Sequence, residues 1–143
     1  MTAARQQPQP RLLVVDDEAF IRAFAERTLS FAGYGVALAA DGSEALRIAR
    51  EQGPFDLFVI DFAMPDMSGE ELANRLRQDH AGVDIKVLYF TGYSDRLFTG
   101  KTRLRDNEAF VDKPVTVKGL LEAVSLMLFG HTHGLGPKNP PTS

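Results

Sequence analysis

Apolar residues along the chain fall into two rhythms. Leu12–Val15, Val36–Ala40, Leu57–Ile60, Ile85–Phe90 (interrupted by Lys86) and the pair Phe110–Val111 are short apolar runs, the pattern of strands buried on both faces. Between them the spacing turns helical. Phe20, Ile21, Phe24, Thr28 and Leu29 predict a first helix on one apolar stripe, with Gly33 as its expected C-cap. Asp41-Gly42-Ser43 opens a second helix carrying Ala45, Leu46 and Ala49, which Gly53-Pro54 stops. Ser68 with Glu71 predicts a capping box ahead of Leu72 and Leu76. Thr116 is expected to cap a last helix with Val117, Leu120, Leu121, Val124 and Leu128 on one face.

One stretch breaks the rhythm. "YSDRLFTGKTRLRDNEA" (93–109) holds few apolar residues, and Gly100 with two threonines weakens any helix there. A short or frayed fourth helix is expected, and 97–105 should be the most mobile part of the domain.

Five apolar strands alternating with helices predict an α/β fold, a doubly wound five-stranded parallel sheet with helices on both faces. Right-handed crossovers then place every strand's C-terminal end along one edge, where open sheets bind ligands. The expected domain runs over 11–129. Residues 1–10, polar with two prolines, read as a disordered leader, and the Gly/Pro-rich 130–143 as a flexible tail. His131 and His133 fall in that tail and read as solvated side chains rather than a metal pair.

Composition removes several function classes. The 143 residues contain no cysteine, which excludes disulfides and thiolate metal sites. A net charge of −3 gives no general pull towards nucleic acid or anionic membrane. No apolar run approaches the ~20 residues of a membrane span, and the polar start lacks a signal peptide's apolar core. The expected location is cytoplasmic.

The chemistry gathers at the strand ends. "DLFVIDFAMPDMSG" (56–69) is a buried-strand run that ends on a carboxylate, Asp61. The first strand ends on Asp16 and Asp17, the fourth on Thr91, and the fifth leads to Lys113. With the first and third strands adjacent, three carboxylates converge and would repel, raising one another's pKa values. Mg²⁺ relieves that repulsion, since it takes oxygen ligands and commonly one or two carboxylates. A carboxylate beside Mg²⁺ can also attack phosphorus. Phosphoryl transfer then needs charge cancelled on the phosphoryl oxygens, which Mg²⁺, Lys113 and the Thr91 hydroxyl can do. In that reading Asp61 is tolerated at a core strand's end because it accepts the phosphoryl group.

"LLVVDDE", "VIDFAMPDMSG", "VLYFTGYSD" and "FVDKP" resemble the sequence blocks of response-regulator receiver domains of two-component signalling, the chemotaxis-regulator-like kind. They stand in the family's order, with Asp61 45 residues after Asp16, Thr91 30 after Asp61 and Lys113 22 after Thr91. The resemblance covers about 11–129. It implies a flavodoxin-like sheet of order 2-1-3-4-5 and phosphorylation of Asp61 by a histidine kinase or histidine phosphotransfer protein. It also implies Mg²⁺ on Asp16, Asp17, Asp61 and the Ala63 backbone carbonyl, a switch formed by Thr91 and Phe110, and frequently a cis bond at Lys113-Pro114. The signal would pass to a downstream protein by contact, without direct nucleic-acid or membrane binding and without enzymatic turnover beyond the domain's own phosphorylation and dephosphorylation. With no residues expected after Phe129 for an output domain, signalling is expected to run through contacts with another protein, or the domain to act as a relay in a phosphotransfer chain.

Other readings stay open. "DFAMPDMSG" and "FTGYSD" are also similar to receivers attached to hybrid histidine kinases, so a receiver cut from such a kinase is the first alternative; the initial Met and leader favour a free-standing protein. A Mg²⁺-dependent phosphatase forming an aspartyl phosphate is the second, but it needs an acid two residues after the nucleophile, where this chain has Ala63. A receiver that is never phosphorylated is the third. The sequence departs from the family before the fifth strand, where Asp106-Asn107 replaces a frequent Gly-Ala pair. That puts the usual target-binding face in doubt.

Overall fold

A computed structural model describes residues 9–92 and 106–130. Five strands form one parallel sheet: β1 (Arg11–Val15), β2 (Gly35–Ala39), β3 (Leu57–Asp61), β4 (Val87–Thr91) and β5 (Glu108–Asp112). Their order is β2-β1-β3-β4-β5, which puts β1 beside β3 and the order reversal between them. The described helices are α1 (Ala19–Phe31), α2 (Gly42–Gln52), α3 (Gly69–Asp79) and α4 (Val117–Phe129).

Strand alternation divides the core into two layers. Leu13, Val15, Phe58, Ile60, Val87 and Tyr89 face α2 and α3. Leu12, Val14, Leu57, Val59, Leu88 and Phe90 face α1 and α4, through Ala25, Leu29, Leu120 and Val124. β1, β3 and β4 bury side chains on both faces, so they carry unbroken apolar runs rather than alternation.

Helix ends follow local chemistry, with some adjustments. Asp41 Oδ1 accepts the Glu44 N–H, Ser68 Oγ that of Glu71, and Thr116 Oγ1 that of Gly119. The expected capping box at Ser68 is half-formed, because the Glu71 carboxylate takes Arg75 one turn on, at 2.9 Å. Gly33 is not the C-cap; Ala32 is. Gly33 follows it at φ 101°, with Gly33 N–H on Ser30 O and Tyr34 N–H on Leu29 O, a Schellman closure that needs a left-handed residue there.

Strand bounds shift slightly from expectation. Arg11 and Gly35 join β1 and β2, Ala40 falls outside β2, and β4 starts at Val87 with Ile85 buried just before it. β5 is five residues long, not a brief pair. Two stripe positions are not core: Phe20 is 80% exposed and Val117 53% exposed. Each sits in the first turn of its helix, at the rim where the chain leaves the sheet edge. The expected fourth helix and mobile segment lie outside the described residues, as do most of the leader and tail with His131 and His133. Among the described residues no helix is long and apolar enough to cross a membrane.

Candidate metal centre

The sheet brings the predicted polar residues to one edge. Asp16 follows β1, and its N–H bonds to Ala39 O at 3.2 Å. Asp61 closes β3 opposite Phe90, and the next N–H, of Phe62, bonds to Phe90 O at 2.8 Å. Thr91 closes β4, and Lys113 N–H bonds to its carbonyl at 2.9 Å. Backbone pairing, rather than side-chain affinity, therefore places these groups together.

The loop after Asp61 is held equally tightly. Gly69 N–H bonds to Phe62 O at 2.8 Å, and a Cβ on Gly69 would collide with Asp61 O and lie 2.9 Å from Phe62 Cα. Only a residue without a side chain fits that approach. Met64 and Met67 of this loop pack on the α2/α3 core layer, which ties the loop to the sheet.

Asp16, Asp17 and Asp61 each offer a carboxylate oxygen, and these oxygens all lie within 4.8 Å of one another. Asp16 and Asp61 are buried; Asp17 is exposed. Lys113 Nζ donates to Asp61 Oδ1 at 3.3 Å and lies 3.6 Å from Asp16 Oδ2. Asp16 Oδ1 accepts the Glu18 N–H at 2.9 Å, while its buried Oδ2 has no hydrogen-bond partner. Buried carboxylate oxygens are rarely left so. Arg22 Nη1 donates to the Asp16 carbonyl at 2.7 Å and leaves the carboxylate clear.

Electrostatics follow from this crowding. Burial, then the charge of Asp16, push the Asp61 carboxyl up to about 7 despite Lys113. Burial also raises Asp16, against the Glu18 N–H and Lys113, which lower it. For Lys113 burial acts downwards, but Asp61 and Asp16 outweigh it and its pKa rises. Three clustered carboxylates, with one lysine against two of them, leave an excess of negative charge. An all-oxygen set with one unpartnered buried oxygen fits a hard divalent cation such as Mg²⁺.

The remaining predicted residues stand nearby in different ways. Thr91 is fully buried, and its hydroxyl donates to the Gly92 carbonyl at 3.1 Å. Phe110 is half-buried, its ring 5.5 Å from those of Phe62 and Tyr89. Ala63 lies in the exposed loop after Phe62. Lys113-Pro114 is cis. Sequence reasoning missed Glu108, whose side chain is fully buried against Arg77. Its signal was a glutamate in phase with Phe110 on an inward strand face, hidden because the strand's start was unclear.

Comparisons with known proteins agree with this geometry. A family model described as "Response regulator receiver domain" matches residues 12–125. "Sensor kinase CckA" of Brucella abortus is 37% identical over 118 residues, which is 82% of this chain and 12% of that protein. "Probable transcriptional regulatory protein TcrX" of Mycobacterium tuberculosis is 31% identical over 87% of this chain and 52% of its own. The chain thus spans about half the length of one relative and far less of the other. A crystal structure of response regulator protein TrrA from Thermotoga maritima, in complex with Mg(2+)-BeF, superposes with a TM-score of 0.69 at 33% identity. That match covers 84% of this chain and all of that one.

Proposed function

This chain belongs to the response regulator receiver domain family of two-component systems, and from that premise we propose that Asp61 accepts a phosphoryl group in a Mg²⁺-dependent reaction. The donor is the phosphohistidine of a histidine kinase or histidine phosphotransfer protein. An Asp61 carboxylate oxygen attacks phosphorus, the O–P bond forms as the P–N bond breaks, and the imidazole nitrogen keeps the electron pair and takes a proton. The observation that carries this reading is the meeting of the Asp16, Asp17 and Asp61 oxygens within 4.8 Å, with Lys113 on Asp61.

Each residue then has a defined task. Asp16, Asp17, Asp61 and the Ala63 carbonyl would hold Mg²⁺, which when bound supplies Lewis-acid neutralisation of phosphoryl charge. Lys113, already against Asp61, shifts its ammonium to a phosphoryl oxygen. The Thr91 hydroxyl exchanges the Gly92 carbonyl for another such oxygen. Phe110 responds to that movement, and the changed surface is read by a downstream protein in the cytoplasm. Exposed Phe20 and Val117 border a groove of about 440 Å³ near the same edge and give the donor protein an apolar foothold.

Turnover as a phosphatase is not favoured, because Ala63 offers no proton to a leaving group. The likeness to CckA supports a second setting, in which this receiver serves a hybrid kinase in a relay. Acetyl phosphate with Mg²⁺ is expected to add one phosphoryl mass to the intact chain, and none to Asp61→Asn or in excess chelator. Equal labelling of wild type and Asp61→Asn would overturn the assignment.

A further inference from the structure

Glu108 opens β5 with a fully buried carboxylate. Replacing a buried ion pair by apolar side chains is often neutral or stabilising, so stability alone gives no reason for one here. Its partners point to another role. Arg77 of α3 contacts Glu108 Oε2, and the Tyr89 hydroxyl of β4 donates to the same oxygen at 3.2 Å. Burial, reinforced by Glu108, raises the Tyr89 pKa, so the phenol stays protonated and remains a donor.

Tyr89 carries that tether into the ring cluster beside the acceptor. Its ring stands edge-on to Phe62 at 5.2 Å and lies 5.5 Å from Phe110. Phe62 is the residue after Asp61, and its own ring is 5.5 Å from Phe110. Of the three rings, Tyr89 alone has a polar end, and that end is fixed to a charged pair from a helix and a neighbouring strand. In this packing the Thr91 hydroxyl is committed to Gly92 rather than to Asp61.

We propose that Tyr89, tethered through Glu108 to Arg77, is a positioning residue that holds Phe110 in the observed packing and sets how readily the switch turns when Asp61 is loaded. The inference rests on the Asp61 reading and on Phe110 as the responding ring. A tether that favours one arrangement reduces the affinity of any ligand that needs the other. Cutting it should therefore tighten the binding of a phosphoryl mimic.

The test titrates the whole chain with beryllium fluoride at saturating Mg²⁺, read by fluorine NMR, with thermal melting recorded in parallel. Tyr89→Phe, which removes one oxygen, is expected to bind roughly threefold to tenfold more tightly than wild type, the range one hydrogen bond can supply. Glu108→Leu should do the same, and Glu108→Gln, which keeps an acceptor for the phenol, should fall nearer wild type. Unchanged or weaker binding in both Tyr89→Phe and Glu108→Leu, with or without a lower melting point, would overturn the inference and leave the Asp61 reading intact. Wild type failing to bind the mimic would instead overturn the Asp61 reading itself.

Discussion

At the C-terminal edge of the sheet, the Asp16, Asp17 and Asp61 carboxylates crowd together with the Lys113 ammonium against two of them, Asp16 and Asp61, and Asp16 Oδ2 is buried without a hydrogen bond. At the start of β5, Glu108 is buried as deeply, but Arg77 and the Tyr89 hydroxyl meet it. One cluster keeps surplus negative charge, while the other is neutralised by its own side chains. The cost of the first is visible in the Asp61 carboxyl, pushed up to about 7. In the function proposed above, a cation from outside supplies the missing positive charge. The comparison teaches that the presence of buried carboxylates says little, and that their residual charge separates a binding site from a structural pair.

The sharpest way to break that contrast is to make the second cluster resemble the first. Arg77→Met leaves Glu108 buried without its cation and should cost about 3–5 kcal/mol in urea unfolding. Labelling of Asp61 by acetyl phosphate should survive. Loss of labelling with a folded spectrum would mean that the two clusters are one machine. A smaller effect tests how rigidly the acidic edge is built. In Gly69→Ala the new methyl must displace the Asp61 or Phe62 backbone, at about 1–3 kcal/mol, and Mg²⁺ affinity by calorimetry should weaken with it.

The mildest probe is pH. Asp61 titrates near 7 in the fold against an ordinary 3.8, so between those values the folded state binds more protons than the unfolded one. Metal-free stability should therefore fall as pH rises from about 4 to 7, through this group. Asp61→Asn should flatten that slope and raise metal-free stability at pH 8 by about 1–2 kcal/mol. Mg²⁺ needs the ionised carboxylates, so its stabilisation should grow over the same window. At ten to a hundred times its dissociation constant it amounts to about 1–3 kcal/mol. Melting curves with Mg²⁺ and with chelator at pH 5.5 and 8 check both signs. An equal Mg²⁺ increment at both pH values would detach Asp61 from the metal.

Sequence alone determined the strands and the acidic edge, for a physical reason. Buried parallel strands need short unbroken apolar runs, and Asp16, Asp17, Asp61, Thr91 and Lys113 all follow such runs, so a parallel topology brings them to one edge. Phe20 and Val117 show where the pattern fails, because helical period does not say where the sheet beneath a first turn ends. Tertiary structure alone decided the rest. Arg77 and Glu108 stand 31 residues apart, and nothing local marks them as partners until β5 registers on β4 and α3 packs over both. The need for glycine at 69 likewise arises only where the loop folds back on Asp61. Periodicity is a property of neighbours in the chain, whereas charge balance is a property of neighbours in space.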